Sequence, residues 1–135
     1  MSDASRMLFL RIALVIVGLI FIFGVYLMGV FWPSGWVWGQ GHPQHYLTMI
    51  MGIYATLGVF LLIAARNPEA HRSLIWFTVW SSVVHAGIMT MQALANSDQR
   101  GHLLGDVPAL LVVAAVLAVL TPLGNAATAL AAGKK

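Results

Sequence analysis

The feature that most constrains this chain is a series of four long apolar stretches joined by short polar segments. The stretches run over residues 7–31, 45–65, 73–95 and 107–131. Each exceeds the roughly 20 residues that an α-helix needs to cross a hydrocarbon core of about 30 Å. A helix satisfies its backbone N–H and C=O groups internally, and the sequence lacks the period-2 alternation of a membrane β-barrel. The sequence therefore predicts an all-α fold, a four-helix antiparallel transmembrane bundle that forms a single domain over residues 1–135.

The composition excludes the soluble classes of protein. Charged residues make up 8% of the chain and hydrophobic residues 60%, whereas a soluble domain carries about 25% charged residues. So few charges cannot cover a surface that faces water, and we expect membrane lipid as the surrounding medium. The absence of cysteine from the sequence excludes disulfides, iron–sulfur clusters, thiolate metal sites and cysteine nucleophiles.

The placement of lysine and arginine predicts the orientation of the bundle. The residues that fall on one side of the predicted topology are Arg6, Arg11, Arg66, Arg72, Lys134 and Lys135. Only Arg100 falls on the other side. Cytoplasmic loops carry the excess of basic residues, so both termini are expected in the cytoplasm. Because these residues lie at the ends of apolar segments, the net charge of +3 does not indicate nucleic acid as a partner.

Two proline-containing segments predict local structure between and within the helices. The segment Asn67-Pro68-Glu69 is typical of a helix start, so a tight turn should join the second and third helices into an antiparallel hairpin. Pro122 lies inside the predicted fourth helix, where the loss of a backbone N–H should kink or loosen that helix.

The third apolar stretch carries a polar stripe that is the main candidate for a ligand-binding face. The stripe consists of Thr78, Ser82, His85, Met89 and Gln92. Steps of four and three residues place its members on one face of a helix. His85 lies about 15 Å from the outer boundary on the helical rise, and an ionisable group at that depth should face the bundle interior. The alternative is a structural histidine that is hydrogen-bonded to Ser82 or to a neighbouring helix.

The outer loops and the methionines provide a second candidate site, for a metal ion. Its candidate ligands are His42, His45, His102, Asp106 and Met49. Neutral imidazole suits zinc and copper, and a thioether suits Cu(I); solvated loop histidines and packing methionines are the alternatives. A haem held by two histidines is disfavoured because His45 and His85 lie at different depths, whereas ligation by His85 with Met49 stays open.

Signs of conventional catalysis are missing from the sequence. There are no paired carboxylates, phosphate loop or nucleophile–base spacing, and the acidic residues Asp3, Glu69, Asp98 and Asp106 all lie outside the predicted spans. This favours a non-catalytic role, as an accessory or assembly subunit or as a binder of an apolar molecule. The alternatives are a redox or metal module that holds copper, zinc or haem, and a small channel or transporter. The large lipid-facing surface predicts a homo-oligomer or a subunit of a larger membrane complex.

The stretch AARNPEAHRSLIWFTVWSSVVHAGIMTMQA, residues 64–93, resembles an uncharacterised family of small four-helix bacterial inner-membrane proteins that is loosely similar to the DoxX-like group. The resemblance implies a four-span bundle in the bacterial cytoplasmic membrane. It implies no established reaction, cofactor or active residue. The DoxX-like likeness favours quinone-linked or thiol-linked redox accessory roles, by analogy of fold alone.

Overall fold

The computed structural model describes residues 2–35 and 44–122, and these residues form helices and turns without β-strands. The first helix, α1, spans Asp3–Phe31 and consists of α-helical Asp3–Leu19, π-helical Ile20–Gly24 and α-helical Val25–Phe31. The others are α2 (Gln44–Ala64), α3 (Arg72–Ala95) and α4 (Asp106–Leu120), with short 3-10 helices at Pro33–Gly35 and Ser97–Leu103.

The described residues contain four helical segments long and apolar enough to cross a membrane. These are Asp3–Phe31, Leu47–Ala64, Arg72–Ala95 and Ser97–Leu120. The third has the lowest mean hydropathy, 1.4, as expected of the helix with the polar stripe. Large apolar side chains such as Phe23, Ile53, Trp80 and Val119 are more than half exposed. Apolar surface on this scale is unfavourable in water. Within the described residues, the predicted all-helical fold is confirmed, as is the prediction of four helices long and apolar enough to cross a membrane.

Within residues 2–35 and 44–122, two apolar clusters hold the helices together. In the larger cluster each helix contributes fully buried side chains, among them Leu14 of α1, Leu61 of α2, Ile75 of α3 and Leu117 of α4. The smaller cluster joins α3 to α4 through Ala86, Met89, Val107 and Leu110. A half-buried tyrosine of α2, Tyr54, packs against both clusters. It therefore lies where the two parts of the core meet.

The pairing of helices differs from a simple hairpin of α2 and α3. The most extensive contacts join α3 to α4 and α1 to α2, whereas α2 and α3 share few contacts. The chain does turn tightly between them: the Ala70 N–H donates to Asn67 Oδ1 at 3.4 Å. The regular helix begins at Arg72 rather than at Pro68, because residues 67–71 are used in this turn.

Two glycines allow α1 and α2 to approach closely. A Cβ atom on Gly18 would lie 2.9 Å from the carbonyl oxygen of Gly58, and one on Gly58 would lie 2.6 Å from the carbonyl oxygen of Gly18. Backbone atoms thus meet backbone atoms at this crossing, as in membrane helix pairs that use small residues. This close contact explains why α2 packs on α1 more than on α3.

The end of α4 is capped by an arginine from the start of α1. The Arg6 guanidinium donates to the carbonyl oxygens of Leu120 at 3.1 Å, Val119 at 2.8 Å and Thr121 at 3.3 Å. The last carbonyls of a helix lack internal partners and carry partial negative charge. The Arg6 guanidinium supplies both hydrogen-bond donors for these carbonyls and a positive charge. The first turn of α1 therefore lies beside the last turn of α4.

Pro122 follows the end of α4 instead of kinking the helix. Thr121 has extended backbone with φ −80° and ψ 118°, because the ring of a following proline disfavours helical geometry at the preceding residue. The Pro122 carbonyl oxygen accepts a hydrogen bond from the Arg72 guanidinium. Residues 123–131 of the expected fourth span lie outside the described residues.

We predict that Gly58→Ala destabilises the protein while Gly52→Ala on the same helix does not. The new Cβ at position 58 would collide with the backbone of α1, whereas nothing lies within 4 Å of a Cβ at position 52. Overpacking of this kind costs about 1–3 kcal/mol. Thermal unfolding of both variants in the same detergent tests this, and equal melting temperatures would contradict the close crossing of α1 and α2.

Candidate functional site

The candidate site begins with a hydrogen bond between α2 and α3. The Tyr54 hydroxyl lies 2.8 Å from Nδ1 of His85, and the tautomer of the histidine decides which atom donates. The two rings are also close, with centroids 5.7 Å apart. Both residues lie near the middle of their helices. Since α2 and α3 otherwise share few contacts, this polar pair is a main link between them.

The π-helical turn of α1 places an aromatic ring beside this pair. Phe21, in the turn Ile20–Gly24, is 4% exposed and contacts Tyr54 edge to face, with centroids 4.9 Å apart and planes at 84°. A π-turn adds one residue to a helical turn and so shifts the direction of the side chains that follow it. Phe21 covers the Tyr54 ring on its apolar side and leaves the hydroxyl for His85.

The connection from α3 to α4 brings a second polar pair to the same region. The 3-10 helix Ser97–Leu103 packs back against α3 and buries His102, which is 4% exposed. His102 Nδ1 lies 2.8 Å from Oδ2 of Asp106, the first residue of α4, whose exposure is 1%. His102 and Asp106 are four residues apart in the sequence. A loop that did not pack against the rest of the protein would leave such a pair exposed.

A small cavity lies beside Tyr54, His85 and Asp106. Its volume is about 40 Å³, these three residues contribute to its lining, and its surface is almost entirely apolar. The rest of the wall is apolar, with residues of the π-turn on one side, Met89 on another, and side chains of α4 on the third. This volume holds a group about as large as one water molecule.

The Asp106 carboxylate is almost fully buried. It accepts from His102 through Oδ2, and the backbone N–H groups of Asp106 and Val107 also stabilise it, while Oδ1 makes no hydrogen bond of ordinary geometry among the described residues. Buried polar atoms are almost always hydrogen-bonded, and leaving one unsatisfied costs about 1–3 kcal/mol or more for a charged group. Neighbouring atoms cover Oδ1, which is therefore not exposed to the cavity.

The polar stripe of α3 is only partly brought to the site. Thr78 and Ser82 are buried at 0% and 3% exposure, and the Thr78 hydroxyl donates to the Leu74 carbonyl of its own helix at 2.9 Å. His85 and Met89 line the cavity. Gln92 is exposed. The stripe thus contributes two cavity residues and two buried core residues.

The five candidate metal ligands do not assemble in the described part of the chain. His42 lies outside the described residues, and the side chain of His45 lies outside them as well. Met49 is 62% exposed and lines a separate groove between α2 and α3. His102 and Asp106 are in contact, but no group of three histidine or acidic side chains able to hold a metal occurs within residues 2–35 and 44–122. Metal binding stays a prediction.

The structure adds two residues that the sequence analysis did not place in the bundle interior. Tyr54 is one of many large side chains in an apolar stretch of sequence. Its position at the centre of α2 could have identified it, because a buried tyrosine needs a hydrogen-bond partner for its hydroxyl. Asp106 was expected just outside the fourth span. Instead it lies within the apolar segment Ser97–Leu120 and is almost fully buried, because the 3-10 helix before it packs against α3 and α4.

An apolar groove runs beside the cavity, between α1 and α4. Its volume is about 660 Å³, and its lining residues run from Phe9 to Ile20 on α1 and from Val112 to Leu120 on α4. Two of its residues, Ile20 and Val113, also line the polar cavity. The groove and the cavity therefore lie on either side of the same two side chains.

Together the fold and the site define a small all-helical protein with four helices able to cross a membrane and a buried polar cluster. The chain belongs to a family of unknown function, DUF6632, whose family model matches residues 4–132. No curated protein and no solved structure gives a match.

We predict that Tyr54→Phe lowers stability more than Tyr26→Phe. The first change removes the hydroxyl that pairs with His85, a loss of about 0.5–1.5 kcal/mol. The second removes a hydroxyl from a side chain that is 60% exposed and should change little. Melting temperatures of the two variants in one detergent provide the comparison, and a Tyr54→Phe protein as stable as Tyr26→Phe would show that the pair contributes nothing.

Proposed function

We propose that this chain is a non-catalytic membrane protein that binds an apolar molecule in the groove between α1 and α4. The observation that carries the proposal is that this groove adjoins, through two shared residues, Ile20 and Val113, a small cavity lined in part by Tyr54, His85 and Asp106. A helix pair that only faces lipid needs neither a concave apolar surface nor polar groups behind it.

The size of the groove supports binding of a small molecule. Ligand pockets usually measure about 300–1,000 Å³ and are lined mainly by apolar side chains, with a few polar groups that fix orientation. At about 660 Å³ the groove lies within that range. The polar groups come from α2, α3 and the start of α4, so one bound molecule would contact several helices.

The chemistry of the cluster supports binding rather than turnover. Tyr54 pairs with His85, and Asp106 pairs with His102. The cavity between the pairs, at about 40 Å³, has room for one small group. A reaction needs space for a substrate's reacting centre beside an acid or base, and a cavity of one-water size does not give it.

We predict that Val112→Trp in the groove weakens binding of a tailed molecule while Val84→Trp does not. The two valines are similarly exposed, at 61% and 56%, and only Val112 lines the groove. The indole at position 112 would occupy the space that a tail needs. Native mass spectrometry of protein titrated with hexadecane and with hexadecanol measures the bound fraction, and equal binding by both variants and the wild type would refute the proposed function.

We also propose that the four helices form an antiparallel bundle in the bacterial cytoplasmic membrane, with both termini inside, as a homo-oligomer or within a larger complex. The contact of Arg6 with the end of α4 supports neighbouring helices of opposite direction. The basic residues at that end support a cytoplasmic location. The resemblance of residues 64–93 to bacterial inner-membrane proteins supports the choice of membrane.

The topology predicts that Ser97→Cys reacts with a membrane-impermeant maleimide in intact cells, whereas Ser2→Cys and Glu69→Cys react only after permeabilisation. All three positions are exposed, and the chain has no cysteine of its own, so each label reports one site. Labelling of Ser2→Cys in intact cells would contradict the orientation.

A further inference from the structure

We propose that the molecule bound in the groove between α1 and α4 is a long-chain carboxylate, whose ionised end group pairs with the guanidinium of Arg6 while its tail lies along the groove. This inference rests on the proposed function, because the groove is the same one. It adds the class of ligand, a single-tailed fatty acid, and the direction in which the ligand lies.

Arg6 stands at one end of this groove. On α1 the lining residues run from Phe9 to Ile20 at helical spacing, and Arg6 precedes Phe9 by three residues, which places both on one helix face. The guanidinium donates to the carbonyl oxygens of Val119 and Leu120, and both of these residues line the groove. The cationic group therefore lies where the apolar walls end.

Part of the guanidinium is available to a ligand. Its hydrogen bonds to the end of α4 leave from Nε and Nη2, and among the described residues Nη1 makes none. A guanidinium nitrogen of this kind carries two N–H donors. Because Arg6 is half-buried rather than enclosed, these donors are available to an acceptor at this end of the groove.

The charge of Arg6 is only partly balanced by the protein. The end of a helix carries about half a negative charge, so the contact with α4 leaves about half of the positive charge uncompensated. Within the described part of the chain the ion pair that occurs is His102 with Asp106. Asp3, three residues before Arg6, is exposed and does not reach it. An anion at this place would complete the balance.

The shape of the groove favours one tail rather than two. Its α1 wall, from Phe9 to Ile20, is about 16 Å long on the helical rise and is apolar throughout. A second apolar groove among the described residues lies between α2 and α3 and uses neither wall of the first. A phospholipid would need room for a second tail, whereas a fatty acid brings one tail and one charge. Carboxylate and guanidinium form charge-assisted hydrogen bonds.

The inference is tested by the affinities of the full chain for palmitate and methyl palmitate. Native mass spectrometry in one neutral detergent measures both at about pH 9, where a carboxyl group is ionised. The ratio of the two affinities is compared between variants, so that partition into detergent cancels. In Arg6→Gln, which keeps a donor for α4 but removes the charge, the ratio should fall at least about tenfold, equivalent to about 1.4 kcal/mol.

Arg11→Gln is the matched control. It removes the same charge from an exposed position on α1, about 140° around the helix from Arg6. Its ratio should stay within about threefold of the wild-type ratio, because a site that does not touch the ligand acts independently. An equal fall in both variants would show a general attraction of anions to this end of the protein and would overturn the inference.

The remaining outcomes separate this inference from the proposed function. If Arg6→Gln leaves the ratio unchanged while Val112→Trp abolishes binding of both compounds, the groove binds a tail and the carboxylate is removed. If Val112→Trp changes neither affinity, the proposed function fails as well. Dipalmitoyl phosphatidylglycerol that binds the wild type and is not displaced by palmitate would show a two-tailed occupant and would also overturn the inference.

The direction of the ligand can be tested on the wild type alone, so a variant that fails to fold does not prevent a result. Palmitate with a photoreactive diazirine on its last carbon is crosslinked to the protein, and the labelled peptides are identified by mass spectrometry. We expect crosslinks near Ile20 and Val112, at the end of the groove away from Arg6. Crosslinks confined to Phe9 and Val119 would place the tail where the carboxylate is expected and would contradict the pairing with Arg6.

Discussion

The structure depends on one constraint: among helices whose surfaces are largely apolar, a buried polar side chain must find its partner within the protein, either in its own helix or in another element. An unsatisfied buried polar group is costly. Each polar residue at the site therefore ties two elements together. Tyr54 joins α2 to His85 of α3, and Asp106 joins α4 to His102 of the preceding 3-10 helix.

The number of helices and the all-helical fold class could be predicted from the sequence, because the length and hydropathy of the apolar stretches determine them. The pairing of the helices could not be predicted in this way. The close crossing at Gly18 and Gly58 depends on where two glycines meet in space, and small residues are frequent elsewhere in the same helices. The end of α4 was only partly predictable from the sequence. Pro122 clearly marks a disturbance, but whether it kinks or ends the helix depends on Thr121 adopting extended backbone and on the two arginines that bind the free carbonyls.

The sequence predicted that the polar residues of α3 share one face of the helix, but not which residues those side chains would contact. At 100° per residue, the centre of the buried face of α3 lies about 50° from the centre of the stripe, because Val79, Ala86 and Ala93 are also buried. Gln92, at the far edge of the stripe, consequently falls outside the buried sector. His85 is half-buried at the same edge and there meets Tyr54. Asp106 was assigned to the outside because a carboxylate at a helix start is usually in a loop, and only the packing of the 3-10 helix buries it.

The irregular features of this molecule converge on one place. The π-turn of α1 supplies Phe21 and Ile20, the 3-10 helix before α4 buries His102, and the apolar runs of α2 and α3 are interrupted by Tyr54 and His85. Each of these features is less favourable than regular helix or an aliphatic side chain in an apolar bundle. Their position around a single cavity, next to an apolar groove of about 660 Å³, supports the proposal that a ligand binds here.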